Sequence, residues 1–346
     1  MNQKRLLWID ILKFLAITGV ILIHVSSLLL SKEYLFTSSW YQAVGINSLS
    51  RFAIVLFIMA SGYLILRKQQ PLSKIPERLK KILIPFIFWL IIYAVIKVFV
   101  KQDLGLQWNM FDLTIYIVKG FLNPTDIAIQ FWYVYMILGL YILSPILSRW
   151  IQNAPIKEIE YFILIWIICS TLQFLEIDSI LIDYFRYFTG AIGYFVLGYY
   201  LSVKNSSVLK NRFNGVILFA AGSLITVIGT VTLSVITQDQ SLFFIKLGDI
   251  TPGACLQAIG LFIIIKNTNF KNLSVRTKRI IRKISEESYG VYLSNILVIN
   301  LLEQLNLINI TGFTSIEIIL YSVVVLLVSY ACVGFMNNIP VLRKLT

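Results

Sequence analysis

Apolar positions in this chain form long runs, separated by short polar stretches rich in Lys and Arg. A run of about 20 apolar residues crosses the hydrocarbon core as a helix. The pattern predicts spans at approximately 8–30, 47–66, 82–100, 127–148, 159–175, 181–202, 214–236, 243–265, 288–305 and 315–336. No run alternates with period two, so the backbone satisfaction that lipid demands comes from helices and not from a closed barrel. The expected fold is all-α: a polytopic transmembrane helical bundle of about ten spans, forming a single domain over residues 1–346. The segment from Asn109 to Leu122 is too short to cross; with Trp108 at its entry, it reads as an interfacial helix on the outer face.

Composition agrees with the pattern. Of 346 residues, 58% are hydrophobic and only 14% charged, against about a quarter charged in average soluble domains. The net charge of +13 is explained by where the cations stand. Alternate connections carry them: Arg67 to Lys81, Arg149 to Lys157, Lys204 to Arg212, Lys266 to Lys283, and both chain ends. Cation-rich connections stay cytoplasmic, so the termini are expected inside, in a multi-pass protein of the bacterial plasma membrane. The basic balance then reports topology and the lipid bilayer as partner; no nucleic-acid module is present to suggest another. The first span contains Asp10 and Lys13 and lacks a clean cleavage site, so it is expected to be a retained helix and not a signal peptide. No appended soluble domain is expected. Cys169, Cys255 and Cys332 each fall inside an expected span and read as buried, inert thiols without a disulfide framework.

Candidate chemistry is sparse. The one histidine, His24, shares a helical face with Asp10, Lys13, Ile17 and Val20. Ionisable residues inside spans are costly and default to functional or paired roles. For His24 two readings stand: a general base, suited by titration near neutral pH, or a hydrogen-bonded packing residue. Asp10 and Lys13 either tune that site or form an (i, i+3) pair that lowers insertion cost. Arg51 and Arg186 are either site residues or snorkelling cations. Lys246 and Asp249 read as a simple pair, and Pro252 is a candidate local break in the eighth span. The run of Arg78, Lys80 and Lys81 before the third span is either a positive-inside anchor or a phosphate-binding cluster. A nucleophile elbow, a phosphate-binding P-loop and a dinucleotide fingerprint are all absent. No metal site is expected, because one histidine cannot build a histidine zinc site; a His-x4-Asp motif is excluded by Leu29.

Lys13, ten residues and His24 resemble the R/K-x10-H motif in the first helix of the acyltransferase-3 family of integral membrane O-acyltransferases. Further blocks resemble that family in order: WIDILKFLAITGVILIHV, RFAIVLFIMASGYLIL with Arg51 and Ser61-Gly62-Tyr63, RLKKILIPF, FWYVYMILGLYILSPIL with Trp132 and Pro145, GYFVLGYYL and SEESYGVYLSN. The resemblance implies transfer of an acyl group, acetyl above all, from acyl-CoA to a hydroxyl of a cell-surface or lipid-linked glycan. Acyl-CoA is then a co-substrate, with no permanently bound cofactor. His24 becomes the base, assisted by Asp10 and Lys13; Arg51, Arg78, Lys80 and Lys81 become donor phosphate contacts; Trp132, Tyr133, Arg186 and Asn295 become acceptor contacts. Many relatives carry His where Asn295 stands. Asn cannot act as a base near neutral pH, so its expected role is orientation. Two rivals remain open at this stage: a transporter or flippase, and a non-catalytic subunit of a glycan export assembly. No inverted repeat is visible to favour the former.

Overall fold

A computed structural model describes residues 6–30, 35–103, 110–174, 189–238, 251–307 and 314–345. Among these the chain is all-helical, without strands. The helices are α1 (Leu7–Ser27), α2 (Ser38–Ser50), α3 (Phe52–Leu66), α4 (Ile75–Asp103), α5 (Met110–Leu122), α6 (Trp132–Asn153) and α7 (Ile156–Phe174), then α8 (Ala191–Val203), α9 (Arg212–Thr237), α10 (Pro252–Lys266), α11 (Val275–Gln304) and α12 (Ser315–Asn338). A helix occupies some or all of each of the ten expected segments. Six of the described elements are long and apolar enough to cross a membrane by length and composition: α1, α2 with α3, Leu72–Val98 of α4, Ile129–Asn153 with α6, α9 and α12. The helix Met110–Leu122 lies where the interfacial segment was expected.

The chain divides into two compact units. The first comprises Met1–Gln70, Ser144–Ser288 and Asn309–Val324; the second comprises Pro71–Leu143, Tyr289–Ile308 and Val325–Thr346. The division falls inside α6, α11 and α12.

In the first unit, α1 packs on α2, α3 and α10, α3 packs on α8, and α9 packs along α10. Glycines set these contacts. A Cβ on Gly62 would run into the carbonyl of Phe195, and one on Gly198 into that of Met59, so α3 and α8 touch backbone to backbone. The same holds for α9 and α10. There Gly215 faces Gly260 and Gly222 faces Gly253, two pairs spaced one heptad apart on antiparallel helices. Small residues drive such contacts in lipid, where apolar side chains gain nothing by leaving the tails. Helix α9 shows the consequence on its outer face. Its buried positions are Gly215, Gly222, Ser223, Thr226, Thr230 and Ser234, while Ile217, Leu224, Ile228 and Ile236 are exposed. Apolar side chains outward and small polar ones inward is the arrangement of a lipid-facing helix.

One boundary differs from the sequence expectation. The second span was placed from residue 47, yet α2 begins at Ser38, where the Thr37 side chain accepts from the Trp40 amide at 3.2 Å. Its polar residues Asn47, Ser48 and Ser50 are buried. Pro252 opens α10 at the first turn, with Thr251 as N-cap accepting from Ala254 N at 3.3 Å. A missing amide hydrogen costs nothing at that position. Of the thiols, Cys169 is buried and Cys255 half-buried, while Cys332 is exposed on α12, contrary to the expectation of three buried ones.

In the second unit α4 packs on α5 and on the turn Leu342–Leu345. Phe86 sits edge-on to Phe131 and Tyr135, with ring centroids at 5.2 and 5.6 Å. This aromatic core seats the loop Ile129–Phe131 that precedes α6.

Candidate functional site

Helix α1 carries the first-unit candidates. Trp8 wedges its start against Tyr63 of α3 and Phe262 of α10, at 5.0 and 5.4 Å between ring centroids. Along the face read from the sequence, Asp10, Ile17 and Val20 are buried, and Lys13 and His24 are half-buried. Eleven residues separate Lys13 from His24, about 16 Å of helical rise.

Asp10 is 4% exposed. Its Oδ1 accepts from Ser285 Oγ at 2.9 Å, a bond spanning 275 residues of sequence. Ser285 belongs to the SEESYGVYLSN segment, and its own carbonyl accepts from Ser288 Oγ at 2.9 Å. A buried carboxyl needs such donors, because an unpaired polar group in an apolar interior is costly.

The turn that holds His24 is clamped from α2. Asn47 is fully buried, and its Nδ2 lies 3.1 Å from Ile23 O, 2.9 Å from Ser26 Oγ and 3.1 Å from Ser27 Oγ. Ser26 and Ser27 in turn donate to Leu22 O and Ile23 O, each at 2.6 Å. At the next residue of α2, Gln257 of α10 donates to Ser48 O at 2.8 Å and to Ser223 Oγ of α9 at 3.0 Å. Arg51, 2% exposed, lies at the bend between α2 and α3. Asn47 Oδ1, Ser48 Oγ and Gln257 Oε1 are buried and make no hydrogen bond among the described residues. Native interiors leave few such atoms, so this polar layer has acceptor capacity to spare for a donor such as a hydroxyl or water.

The second unit carries the other candidates. Arg78 is half-buried near the start of α4, and Lys80 and Lys81 are exposed. Lys81 pairs with Glu77 at 3.0 Å, an (i, i+4) contact on the surface. Trp132 is half-buried at the first position of α6. Tyr133 is buried, with its ring 5.0 Å from that of Tyr292. Tyr292 donates its hydroxyl to Gln130 O at 2.5 Å. Asn295 is fully buried, and its Nδ2 donates to Tyr292 O at 2.6 Å and to Val291 O at 3.2 Å. Tyr133 and Asn295 therefore share a neighbourhood around Tyr292, and the Asn295 amide is turned back on its own helix.

Next to them the ladder of α11 is bridged. Tyr93 of α4 donates its hydroxyl to Leu293 O at 3.0 Å and accepts from Leu297 N at 2.8 Å. These are the two ends of one helical (i, i+4) bond, so a side-chain hydroxyl stands in the ladder. Gln130 Nε2 donates to the same hydroxyl at 3.0 Å and lies 3.4 Å from Leu293 O. Insertion of this kind is a recognised origin of helix distortion.

Of the residues singled out from the sequence, Asp10, Lys13, His24 and Arg51 lie in the first unit; Arg78, Lys80, Lys81, Trp132, Tyr133 and Asn295 lie in the second. Arg186 lies outside the described residues, as do Lys246 and Asp249. Sequence reasoning missed Asn47, Gln257 and Ser285 in the first unit, and Tyr93 and Gln130 in the second. Gln257 and Gln130 did leave a signal, since each is an amide in a largely apolar stretch.

Comparison with known proteins converges on the same reading. The family model described as an acyltransferase domain matches residues 6–334. Neither a curated protein nor a solved structure matches the chain. The matched region contains every helix from α1 to most of α12, including the Lys13–His24 spacing and the SEESYGVYLSN segment. The lipid-facing character of α9 and the six long apolar elements agree with a multi-pass membrane protein. The chain belongs to the acyltransferase-3 family of membrane acyltransferases.

Proposed function

We propose that this protein is an O-acyltransferase that moves an acyl group, acetyl first among them, from acyl-CoA to a hydroxyl of a cell-surface or lipid-linked glycan in the plasma membrane. The observation that carries the reading is the family match over residues 6–334, combined with His24 as the chain's one imidazole. In this reading His24 takes the proton of the acceptor hydroxyl. The hydroxyl oxygen attacks the thioester carbonyl, the C–S bond breaks, and the released thiolate of CoA receives a proton. A general base typically contributes about 10²–10⁴-fold to rate. The clamp of Asn47 on the carbonyl and hydroxyls of Ile23, Ser26 and Ser27 supports the role by fixing the turn that bears the imidazole, since catalytic groups need positional precision. Asp10 and Lys13 shape the field along the same helix. Arg51, Arg78, Lys80 and Lys81 are the proposed phosphate contacts of the donor, and Trp132, Tyr133, Arg186 and Asn295 those of the acceptor.

The test is acyl transfer from labelled acetyl-CoA by the purified protein, paired with NMR of O-acetyl groups on surface polysaccharide. His24→Ala is expected to lose both signals by roughly 10²-fold or more, while reaching the membrane at wild-type level. Full transfer by a well-expressed His24→Ala protein removes the base assignment. Absence of transfer by the wild type against a panel of glycan acceptors removes the enzyme reading and leaves transport as the next one to assay.

A further inference from the structure

Asn47, Ser48 and Gln257 lie in the interior of the first unit, each 0% exposed. The orientation of both amides is dictated by what surrounds them. Asn47 meets the Ile23 carbonyl at 3.1 Å, and Gln257 meets the Ser48 carbonyl at 2.8 Å. A carbonyl oxygen only accepts, so each amide must turn its nitrogen toward it. The opposite ends, Asn47 Oδ1 and Gln257 Oε1, are left as acceptors, buried and without a hydrogen bond among the described residues. Ser48 Oγ is in the same condition. Its neighbours behave differently. Ser26 and Ser27 of α1, Ser50 of α2 and Ser223 of α9 each donate to a carbonyl four residues back, at 2.6, 2.6, 2.8 and 2.7 Å. That habit satisfies a hydroxyl inside an apolar bundle, and Ser48 does not follow it.

From this arrangement we infer that Asn47, Ser48 and Gln257 form a binding site for the hydroxyl groups of a sugar. Native interiors leave few buried polar groups unmet, and here three belong to one layer: Asn47 and Ser48 are consecutive, and Gln257 is bonded to Ser48 O. Two neutral acceptors and one hydroxyl match a neutral ligand that brings at least two donors. A sugar does so, since each of its hydroxyls both donates and accepts. A divalent metal ion is the poorer fit, because none of the three residues supplies a carboxylate. The location gives the site its use. Asn47 Nδ2 grips the carbonyl of Ile23, the residue before His24, so the layer adjoins the turn that carries the imidazole. On the acyl-transfer reading, on which the ligand's identity as the acceptor rests, these oxygens hold hydroxyls beside the one that reacts. They thereby select a polyol over a simple alcohol. Asn47 then has two parts to play, its nitrogen fixing the helix turn and its oxygen taking the substrate.

The experiment uses the full chain in phosphatidylcholine nanodiscs and saturation-transfer NMR of four probes: the methyl glycosides of glucose, galactose, mannose and N-acetylglucosamine. The decisive variant is Ser48→Ala, because the hydroxyl it removes makes no bond among the described residues and the fold loses none with it. The variant is expected to weaken binding of the glycoside that the wild type takes by about three- to tenfold, the scale of one neutral hydrogen bond. Its thermal midpoint is expected to stay or rise, since a buried hydroxyl without a partner costs stability. The site is overturned if no glycoside gives saturation transfer above that of empty nanodiscs, or if wild type and variant bind it equally. A lowered midpoint with unchanged glycoside binding also overturns it, and assigns Ser48 to a buried water instead. Acetyl transfer from acetyl-CoA to the same glycosides is scored in parallel. Binding that responds to Ser48→Ala, without transfer by the wild type, removes the enzyme reading and leaves the site. Transfer by the wild type, with binding indifferent to Ser48→Ala, removes the site and leaves the enzyme.

Discussion

Replacing Tyr93 with Phe removes one oxygen from the second unit and leaves the ring in its place. That oxygen makes three hydrogen bonds: to Leu293 O at 3.0 Å, from Leu297 N at 2.8 Å and from Gln130 Nε2 at 3.0 Å. The ring's edge contact with Phe131, at 5.3 Å between centroids, survives the change. Two responses compete. If α11 keeps its shape, the Leu297 amide is orphaned in a buried site, which costs about 1–3 kcal/mol. Leu293 O retains only the 3.4 Å contact with Gln130. If α11 tightens, Leu297 N bonds Leu293 O directly and most of the loss is recovered. Measured hydrogen bonds inside membrane proteins average ~0.6 kcal/mol and reach ~1.7, which argues for the lower half of the first range. The surrounding side chains of α4 are close-packed against Phe131, and tightening would have to move them, so the open response is expected to win. The predicted loss is therefore about 1–2 kcal/mol, or roughly 1.5–3 °C in thermal midpoint. Thermal unfolding in detergent reads the first quantity, and amide hydrogen exchange at Leu297 reads the mechanism. Gln130→Leu in the Tyr93→Phe background should cost less than the two changes summed, as coupled partners do. An unchanged midpoint with unchanged exchange at Leu297 refutes the bridged ladder.

Other perturbations follow from the same geometry. Ser285→Ala takes the donor from a buried Asp10 carboxyl and should lower stability by about 1–3 kcal/mol, with Ser285→Thr sparing it; equal unfolding midpoints for all three proteins would argue against the tie. Gly198→Leu drives a side chain into the Met59 carbonyl and should cost ~1–3 kcal/mol or more by overpacking, read as loss of monodisperse protein in detergent. Gly139→Ala is the control, because a Cβ there meets nothing within 4 Å, and it should behave as wild type.

What the sequence made legible is what lipid enforces. The helices at the ten expected segments follow from run length alone, because a backbone in hydrocarbon has no other way to satisfy itself. The lipid-facing Ile217, Leu224 and Ile228 of α9 could not be told from core residues by hydropathy, since both environments reward the same side chains. What separates them is the Gly215 and Gly222 stripe on the opposite face. The expected second span began at residue 47 and left out the start of α2, which runs from Ser38 and buries its polar Asn47, Ser48 and Ser50. At Pro252 the pair Thr251–Pro252 acts as a start signal, a cap followed by a first-turn proline.

The site was legible only where one helix contains it. Asp10, Lys13 and His24 share α1, and a spacing rule finds them. Ser285, the donor to Asp10, lies 275 residues away, and no local pattern ties a serine to a carboxylate at that distance. The SEESYGVYLSN segment shows why its polar residues resist reading one by one. Ser285 bonds Asp10, Tyr289 bonds Ile82 O at 3.0 Å, Tyr292 bonds Gln130 O, and Asn295 bonds its own helix. Three of these four are bonded to groups far away in sequence. Asn295 illustrates the limit. From the sequence, Asn295 looked like a catalytic residue changed into an orienting one. In the fold its amide donates to the Val291 and Tyr292 carbonyls, beside a ladder opened by Tyr93. A residue type thus fixes which bonds a side chain is able to make, and tertiary packing chooses among them. For that reason the test of Asn295 is exchange and stability alongside the Tyr93 variants, before any assay of turnover.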